Sequence, residues 1–478
     1  MIRYEEQEKA FYLDNGRITY CFGIVKGQYL ESRYFGRKIR HCRGSARPWY
    51  FDRGFCSNPD PEDKIFSLDT LPQEYPCMNQ GDFRQPAFVL QTPDGRRVSR
   101  LVYRDYTILP GKPPPAGLPA VYAEQPGEAE TLAVRLEDRV SGAQVRLYYT
   151  IFRDYDAICR HVEVENPGNE SLWLERLMAM SLDLPRRDYD LVTLSGSHLQ
   201  EKMPHRRPVS SDTVLLESSR GASSPQQTPC VILTDPNTDE ASGQVWAVNF
   251  VYSGDFQATV QAGQYGGVRV QMGMNPLTFG WELAPGQRFV SPECVLVYSA
   301  EGLNGMSGVF HRLYRQRLCR GPWRDRLRPV LLNSWEAFQF SIDEEKCLAL
   351  AKQAAELGIE LFVLDDGWFR NRIDDRRALG DWTEDPDKFP HGLARLADRV
   401  RAAGVAFGIW FEPEMVSYDS DLYRSHPDWI IRSPACDPIL SRHQLVLDLS
   451  RPEVCDYLVE SVARVLRRTG ASYVKWDM

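Results

Sequence analysis

Residues 343–368 read DEEKCLALAKQAAELGIELFVLDDGW, a stretch that joins a helix, a glycine and a buried strand. Its apolar residues recur at helical spacing as far as Gly358, and an apolar run then leads to two aspartates. Glycine suits the left-handed position that closes a helix. A near-continuous apolar run is typical of a parallel strand covered on both faces. The stretch therefore predicts one helix–strand unit of an α/β fold.

The same unit occurs twice more in the C-terminal part of the chain. LARLADRVRAAG (393–404) precedes VAFGIWFEPE, and SRPEVCDYLVESVARVLRRTG (450–470) precedes ASYVKWDM. With VLLNSW at 330–335, this pattern predicts four parallel strands. Alternating strands and helices form either a doubly wound sheet or a (β/α)8 TIM barrel. No GxGxxG motif follows a strand, which disfavours a dinucleotide-binding sheet, so we predict the barrel.

The first 300 residues have a different pattern, in which short alternating runs recur between turn residues. AVRLED (133–138) and AQVRLYYTIFR (143–153) flank a Ser-Gly turn, and runs such as QVWAVNFVY (244–252) continue the pattern. So many short strands predict a large β-sandwich. We place a β-sandwich domain at residues 1–300, a helical linker at 301–328 and the catalytic barrel at 329–478.

Four strands are only half of a barrel, which takes about 250 residues. An open half-barrel leaves sheet edges and apolar strand surfaces uncovered. We therefore expect the chain to be truncated at Met478, one residue after Asp477, with only strands 1–4 of the barrel present.

Composition and charge exclude several classes of protein. The 478 residues carry a formal net charge of -8, which argues against a nucleic-acid scaffold. The N-terminal MIRYEEQEKAFYLDNG does not have the form of a secretory signal, and no apolar run reaches the length of a membrane span. The 11 cysteines form no CxxC motif, and no histidine motif for metal binding occurs. We therefore predict a cytoplasmic protein with no nucleic-acid or membrane partner, no metal and no cofactor.

Polar and aromatic side chains follow every predicted barrel strand, at the end where barrels bind their ligands. These residues are Trp335 and Glu336, Asp365 and Asp366, Trp410 and Glu412, and Lys475 and Asp477. Lys475 and Asp477 are two residues apart on one strand, so their side chains point the same way. At an effective dielectric near 20, charges about 4 Å apart attract by about 4 kcal/mol, which would keep Asp477 ionised as a nucleophile must be. A plain ion pair remains an alternative.

Other acids at the strand ends allow more than one interpretation. Asp365 and Asp366 suit bidentate hydrogen bonding to vicinal sugar hydroxyls, although either could instead cap the following loop. Glycoside hydrolysis needs two carboxyl groups. From spacing alone, Glu412 or Glu414 of WFEPEM would be the partner of Asp477.

Nine segments together resemble bacterial α-galactosidases of glycoside hydrolase family 36. They are SLDTLPQEYP, GDFRQPA, RPVLLNSWEAF, LFVLDDGWF, LGDW, FGIWFEPEMVS, DLYRSHPDW, QLVLDLSRPEV and YVKWDM. Their order and length make the resemblance specific, and it extends from about residue 10 to the end. It implies an N-terminal β-supersandwich before the (β/α)8 barrel, retaining double displacement and, often, a homotetramer.

The resemblance also implies roles for individual residues. Asp477 of KWDM would be the nucleophile, and the general acid/base would lie beyond Met478, absent from the chain. This makes FEPE, with Glu412, a structural element. The galactose subsite would be lined by Asp365, Asp366, Trp410, Arg442, Lys475 and Trp335. In WYFDRGF (49–55), Asp52, Arg53 and Phe55 would be candidates for a loop that reaches a neighbouring subunit's active site.

We therefore expect the complete protein to hydrolyse terminal α-D-galactosyl residues of the melibiose and raffinose type. An α-N-acetylgalactosaminidase or a galactosyl transferase on the same scaffold is a close alternative. A further alternative is a non-catalytic carbohydrate-binding or assembly fragment, and we expect the 478 residues alone to be inactive because they lack the acid.

Overall fold

A computed structural model describes residues 1–42, 57–186 and 188–478 of the chain. These residues divide into two compact units, Met1–Arg324 and Asp325–Met478. In the described part of the chain, no helix combines the length and the apolar character needed to cross a bilayer.

The first unit is built mainly from β-strands. In chain order they are Ile2–Glu5 (β1), Ala10–Asp14 (β2), Ile18–Val25 (β3), Tyr29–Arg37 (β4), Phe88–Gln91 (β5), Leu101–Pro110 (β6), Ala129–Asp138 (β7), Gln144–Phe152 (β8), Ala157–Glu165 (β9), Leu172–Leu184 (β10), Asp190–Ser197 (β11), Gln200–Pro208 (β12), Thr213–Ser218 (β13), Gln227–Thr234 (β14), Val245–Val251 (β15), Phe256–Ala262 (β16), Val268–Met274 (β17), Trp281–Leu283 (β18), Arg288–Val290 (β19) and Glu293–Ser299 (β20).

These strands form three antiparallel sheets. The first has the order β1-β2-β3-β4, and the second has the order β13-β16-β17-β10-β18 with β5 also paired to β10. The third has the order β12-β11-β14-β15-β20-β9-β8-β7-β6, with β19 paired to β9. One apolar core takes side chains from all three sheets, among them Phe22, Tyr149 and Met272. The β-supersandwich prediction is confirmed.

A helix follows the last strand of the sandwich. It spans Gly302–Arg317 (α1), and its buried face, with Val309, Phe310 and Leu313, packs against Val297 of β20 in a shared apolar cluster. This helix and the short 3-10 helix Pro322–Arg324 belong to the first compact unit. The boundaries at residues 300 and 328 remain predictions.

The second unit alternates strands and helices. In chain order they are Leu331–Asn333 (β21), Trp335–Phe338 (α2), Glu344–Glu356 (α3), Leu361–Leu364 (β22), Leu393–Ala402 (α4), Ala406–Phe411 (β23), Met415–Ser417 (β24), Asp421–Ser425 (α5), Gln444–Val446 (β25), Pro452–Thr469 (α6) and Tyr473–Trp476 (β26).

Four of these strands form a parallel sheet in the order β21-β22-β23-β26, as consecutive strands of a (β/α)8 barrel do. The predicted helix-closing glycines Gly358, Gly404 and Gly470 have φ angles of 77°, 92° and 62°. Helices α3 and α4 bury apolar faces against β22 and β23. The prediction of four barrel strands is confirmed. Strands β24 and β25 form a small antiparallel pair within the connection from β23 to α6.

Candidate active site

The register of the parallel sheet brings the predicted site residues to one end of neighbouring strands. Trp410 of β23 lies directly opposite Lys475 of β26. Leu364, the last residue of β22, pairs with Ile409, so Asp365 follows at the level of Trp410. Parallel strands end at the same edge, which explains why residues distant in sequence meet here.

Lys475 lies between two carboxylates at this edge. Its Nζ is 2.9 Å from Oδ2 of Asp365 and 3.4 Å from Oδ2 of Asp477. Asp365 is 2% exposed, and its Oδ2 also accepts a 2.5 Å hydrogen bond from Nδ2 of Asn333. The ammonium therefore holds one buried and one partly exposed carboxylate, from two different strands, in a fixed arrangement.

Asp477 is held as an anion. Nε1 of Trp410 donates a 2.9 Å hydrogen bond to Asp477 Oδ2, and the Asp477 backbone amide donates to the Phe411 carbonyl at 2.8 Å. Burial alone would raise the pKa of Asp477, but the Trp410 hydrogen bond and the charge of Lys475 lower it below its ordinary value of 3.8. About a third of the Asp477 side chain is exposed, so the carboxylate is charged at neutral pH and accessible to a ligand.

We predict that Lys475→Met shifts the acidic limb of kcat/KM to higher pH. If Asp477 must be ionised for catalysis, the acidic limb of the wild type follows the pKa of Asp477. That pKa is lowered from its ordinary value of 3.8, so the limb lies below pH 3.8. Removing the ammonium removes a charge that favours the carboxylate, so the pKa of Asp477 rises. Rates on an aryl α-galactoside between pH 3 and 6 measure the shift. Lys352→Met, on the exposed face of α3, is the control, and a limb unmoved by Lys475→Met would contradict the assignment.

Asp366 has a partner that the sequence did not reveal. Its carboxylate is bound by Arg372, with Nε to Oδ1 at 2.9 Å and Nη2 to Oδ2 at 2.7 Å. Both residues are almost fully buried. The Arg372 guanidinium lies near the rings of Phe340 and Phe369, and its Nη1 donates to the Arg377 carbonyl. The ion pair fixes the orientation of Asp366.

A lysine stabilises the same loop. Nζ of Lys388 donates to the carbonyls of Gly367 at 2.7 Å, Arg372 at 2.8 Å and Phe340 at 3.3 Å. The loop that follows β22 is thus held at both ends. Nothing in the sequence marked Arg372 or Lys388, because each lies in a loop with no periodic pattern. Asn333, in contrast, could have been found from its position at the end of β21.

Aromatic side chains pack around Trp410 and fix its position. Trp410 is 1% exposed, and its carbonyl accepts a 2.9 Å hydrogen bond from Nε1 of Trp368. Trp382 packs between Trp368 and Trp410, with ring centroids 6.2 Å and 6.3 Å away. This packing fixes the Trp410 ring, so its indole N–H points at Asp477. Trp335 is half-buried at the end of β21, with its ring at right angles to that of Phe340.

Arg442 lies close to a buried glutamate, Glu412. Its Nη1 is 3.9 Å from Oε1 of Glu412, which is fully buried. Oε2 of Glu412 accepts a 3.1 Å hydrogen bond from Gln444, whereas no described residue donates one to Oε1. Burial raises the pKa of Glu412, against the opposing effects of Arg442 and Gln444. The Glu412 carboxyl is therefore positioned to orient the Arg442 guanidinium.

The turn that carries Arg442 is strained. The Gln444 amide donates to the Ser441 carbonyl at 2.9 Å, and the two central residues, Arg442 and His443, have φ angles of 52° and 60°. This is the backbone of a type I′ turn, which favours Asn-Gly because both central residues need positive φ. Strain of this kind persists where the surrounding structure imposes it, often at functional sites.

We predict that His443→Gly stabilises this turn by about 0.5–1 kcal/mol, because glycine adopts positive φ without steric cost. Hydrogen exchange of residues 439–446 in the whole protein measures the change. Ser441→Gly is the control, since Ser441 is not among the residues with positive φ and glycine there only adds flexibility to the unfolded chain. Faster exchange in His443→Gly would show that the histidine side chain itself holds the turn.

The structure therefore brings together Asp365, Trp410, Lys475 and Asp477 through direct contacts. Asp366 and Trp335 follow neighbouring strands at the same edge, and Arg442 is linked to it through Glu412. The proposed neighbour-subunit residues Asp52, Arg53 and Phe55 lie outside the described residues. Among those described, no group of three or more His, Cys, Asp or Glu side chains could hold a metal ion.

Comparison with protein-family models gives two matches that together span most of the chain. The glycosyl hydrolase family 36 N-terminal domain matches residues 28–284, and the melibiase domain matches residues 288–478. The chain belongs to glycosyl hydrolase family 36. The family predicted from the sequence motifs is thereby confirmed.

Individual relatives and a solved structure support the assignment to family 36. The chain is 48% identical over its whole length to α-galactosidase AgaA of Geobacillus stearothermophilus and 41% identical to α-galactosidase Mel36A of Lactobacillus acidophilus. The crystal structure of the family 36 α-galactosidase AgaB from G. stearothermophilus superposes on the whole chain with a TM-score of 0.97 at 48% identity. The chain spans 65% of the length of AgaA and Mel36A, and 66% of the AgaB chain.

Proposed function

We propose that the whole protein is a retaining α-galactosidase that hydrolyses terminal non-reducing α-D-galactosyl residues, as in melibiose and raffinose. The observation that carries this proposal is the ionised, accessible carboxylate of Asp477, held by Trp410 and Lys475 at the ends of the parallel strands. Variants of AgaA have been crystallised in complex with stachyose and with raffinose, which supports oligosaccharides of this class as substrates.

In the first step, an oxygen of Asp477 attacks the anomeric carbon of the galactosyl unit. The bond to the leaving-group oxygen breaks, and a galactosyl ester of Asp477 forms with inverted configuration. A general acid donates a proton to the departing oxygen. Water then gives a proton to that same group, now acting as a base, and attacks the anomeric carbon with a second inversion. This releases galactose with its original α configuration and restores the carboxylate.

The other site residues would bind the sugar and position the nucleophile. Lys475, beside Asp365 and Asp477, can donate to a hydroxyl near the reacting carbon. Asp365 and Asp366 are acceptors whose orientations are fixed by Asn333 and Arg372. Trp335 and Arg442 would complete the subsite, since an indole face suits sugar C–H groups and a guanidinium suits hydroxyl oxygens.

The test is product release and its stereochemistry. The whole protein is expected to liberate nitrophenol from p-nitrophenyl α-D-galactoside much faster than from the matching α-N-acetylgalactosaminide. Proton NMR during the first turnovers is expected to show α-galactose before mutarotation. Release of β-galactose first would contradict a retaining mechanism, and a preference for the acetamido sugar would contradict the substrate class.

We also propose that the protein is a cytoplasmic homo-oligomer, a tetramer by family resemblance. Every cysteine in the described residues is a free thiol, which supports a reducing compartment. Light scattering of the purified whole protein measures the oligomer number, and a monomer at micromolar concentration would contradict the proposal.

A further inference from the structure

Two cysteines of the β-sandwich unit lie side by side, far along the chain from the galactosidase residues. Cys21 is fully buried in β3, where it lies directly opposite Tyr12 of β2. The side chain of Cys42 packs against Ala10, Tyr12 and Cys21. The Cys42 amide donates a 2.8 Å hydrogen bond to the Tyr12 hydroxyl, which fixes the Cys42 backbone over this face of the sheet. Cys42 and Cys21 are therefore neighbours on one face of the sheet.

The two thiols differ in exposure and in charge state. Cys42 is partly exposed, whereas Cys21 is buried. The interaction with the Cys21 thiol, helped by the positive charge of Arg33, lowers the pKa of Cys42 to about 7, against the opposing effects of burial, Glu31 and Glu8. The interaction with Cys42 and burial raise the pKa of Cys21. Cys42 is therefore the more readily ionised thiol of the pair near neutral pH.

We propose that Cys42 and Cys21 form a reactive thiol pair that a low-molecular-weight disulfide, such as oxidised glutathione, converts to an intramolecular disulfide. Cys42 is the attacking thiol because it is partly exposed, and Cys21 is the resolving thiol because it belongs to the buried cluster against which Cys42 packs. This modification site is independent of the proposed galactosidase activity.

The reaction occurs in two exchange steps. The Cys42 thiolate attacks one sulfur of oxidised glutathione, forms a mixed disulfide and releases one glutathione thiolate. Because Cys21 is buried, in the second step its proton passes to the glutathione sulfur that leaves Cys42. The Cys21 sulfur attacks the Cys42 sulfur of the mixed disulfide and releases the second glutathione. Two protein thiols and one glutathione disulfide give one protein disulfide and two glutathione thiols.

The first measurement is the pH dependence of alkylation of Cys42 by iodoacetamide in the whole protein. We expect a midpoint near pH 7 and, at neutral pH, a rate about threefold that of a thiol with an ordinary pKa of 8.5, because roughly tenfold more thiolate is offset by lower nucleophilicity. The exposed Cys319 and Cys436 are internal references. In Cys21→Ala the interaction with the Cys21 thiol is lost, so the Cys42 midpoint is expected to move toward 8.5.

The second measurement identifies the oxidised product. The native whole protein is treated with oxidised glutathione, blocked with N-ethylmaleimide and mapped by mass spectrometry without reduction. We expect a Cys21–Cys42 cross-linked peptide in the wild type, and a stable glutathione adduct on Cys42 in Cys21→Ala. A wild-type protein that keeps glutathione on Cys42 without the cross-link would overturn the proposal. So would an unmodified Cys42 under conditions that modify Cys319.

Discussion

Asp477→Asn is expected to lower kcat/KM of the whole protein on p-nitrophenyl α-D-galactoside by roughly 10⁴- to 10⁶-fold, the scale of loss when a nucleophile is removed from a covalent mechanism. The amide is nearly the same size as the carboxylate and can keep the hydrogen bond from Trp410, so the subsite is expected to stay intact. It cannot form the galactosyl ester. The measurement is steady-state hydrolysis at pH 7, with Asp398→Asn on the exposed face of α4 as the matched control.

A second variant separates a nucleophile from a plain ion pair. In Asp477→Gly, azide can occupy the space of the missing carboxylate and attack the anomeric carbon of an activated aryl galactoside. The single inversion is expected to give β-galactosyl azide, together with a partial return of nitrophenol release. If Asp477 only formed an ion pair with Lys475, azide would restore no activity. Full activity of Asp477→Asn would likewise remove Asp477 from the mechanism.

The sequence predicted the features of the site that depend on periodicity. The helix–glycine–strand repeat placed Asp365 and Asp477 at equivalent positions, seven residues after Gly358 and Gly470. Parallel strands in sequence order then bring the two carboxylates to one edge, where Lys475 contacts both. The two-residue spacing of Lys475 and Asp477 correctly predicted that their side chains lie on the same side.

The features that depend on loop conformation could not be predicted. Arg372 follows Asp366 by six residues through an irregular loop, and only the three-dimensional path shows that it binds that carboxylate. The S-x-x-E pattern of Ser450 and Glu453 resembles a capping box, but Ser450 donates to Asp448 and the helix begins after Arg451. Local side-chain hydrogen bonds of this kind compete with helix caps, and spacing alone does not show which forms.

Breaking the ion pair between Asp366 and Arg372 is expected to have a large effect on the stability of the surrounding loop. Arg372→Met is expected to lower the local free energy of unfolding around the loop that follows β22 by about 3–5 kcal/mol, because it removes the ion-pair partner of the buried Asp366 carboxylate. Methionine keeps an unbranched stem of similar length, so most of the loss is expected to come from the charge. Hydrogen exchange of peptides covering 361–377 in the whole protein measures this loss.

Arg424→Met is the matched control for this variant. The Arg424 guanidinium binds the exposed carboxylates of Asp419 and Asp421, and surface ion pairs of this kind contribute about 0–1 kcal/mol. The double variant Arg372→Met with Asp366→Asn removes the unpaired charge together with its partner, so it is expected to recover a substantial part of the stability. If the double variant were as unstable as Arg372→Met alone, the loss would come from the guanidinium's packing and its bond to the Arg377 carbonyl, and not from an uncompensated carboxylate.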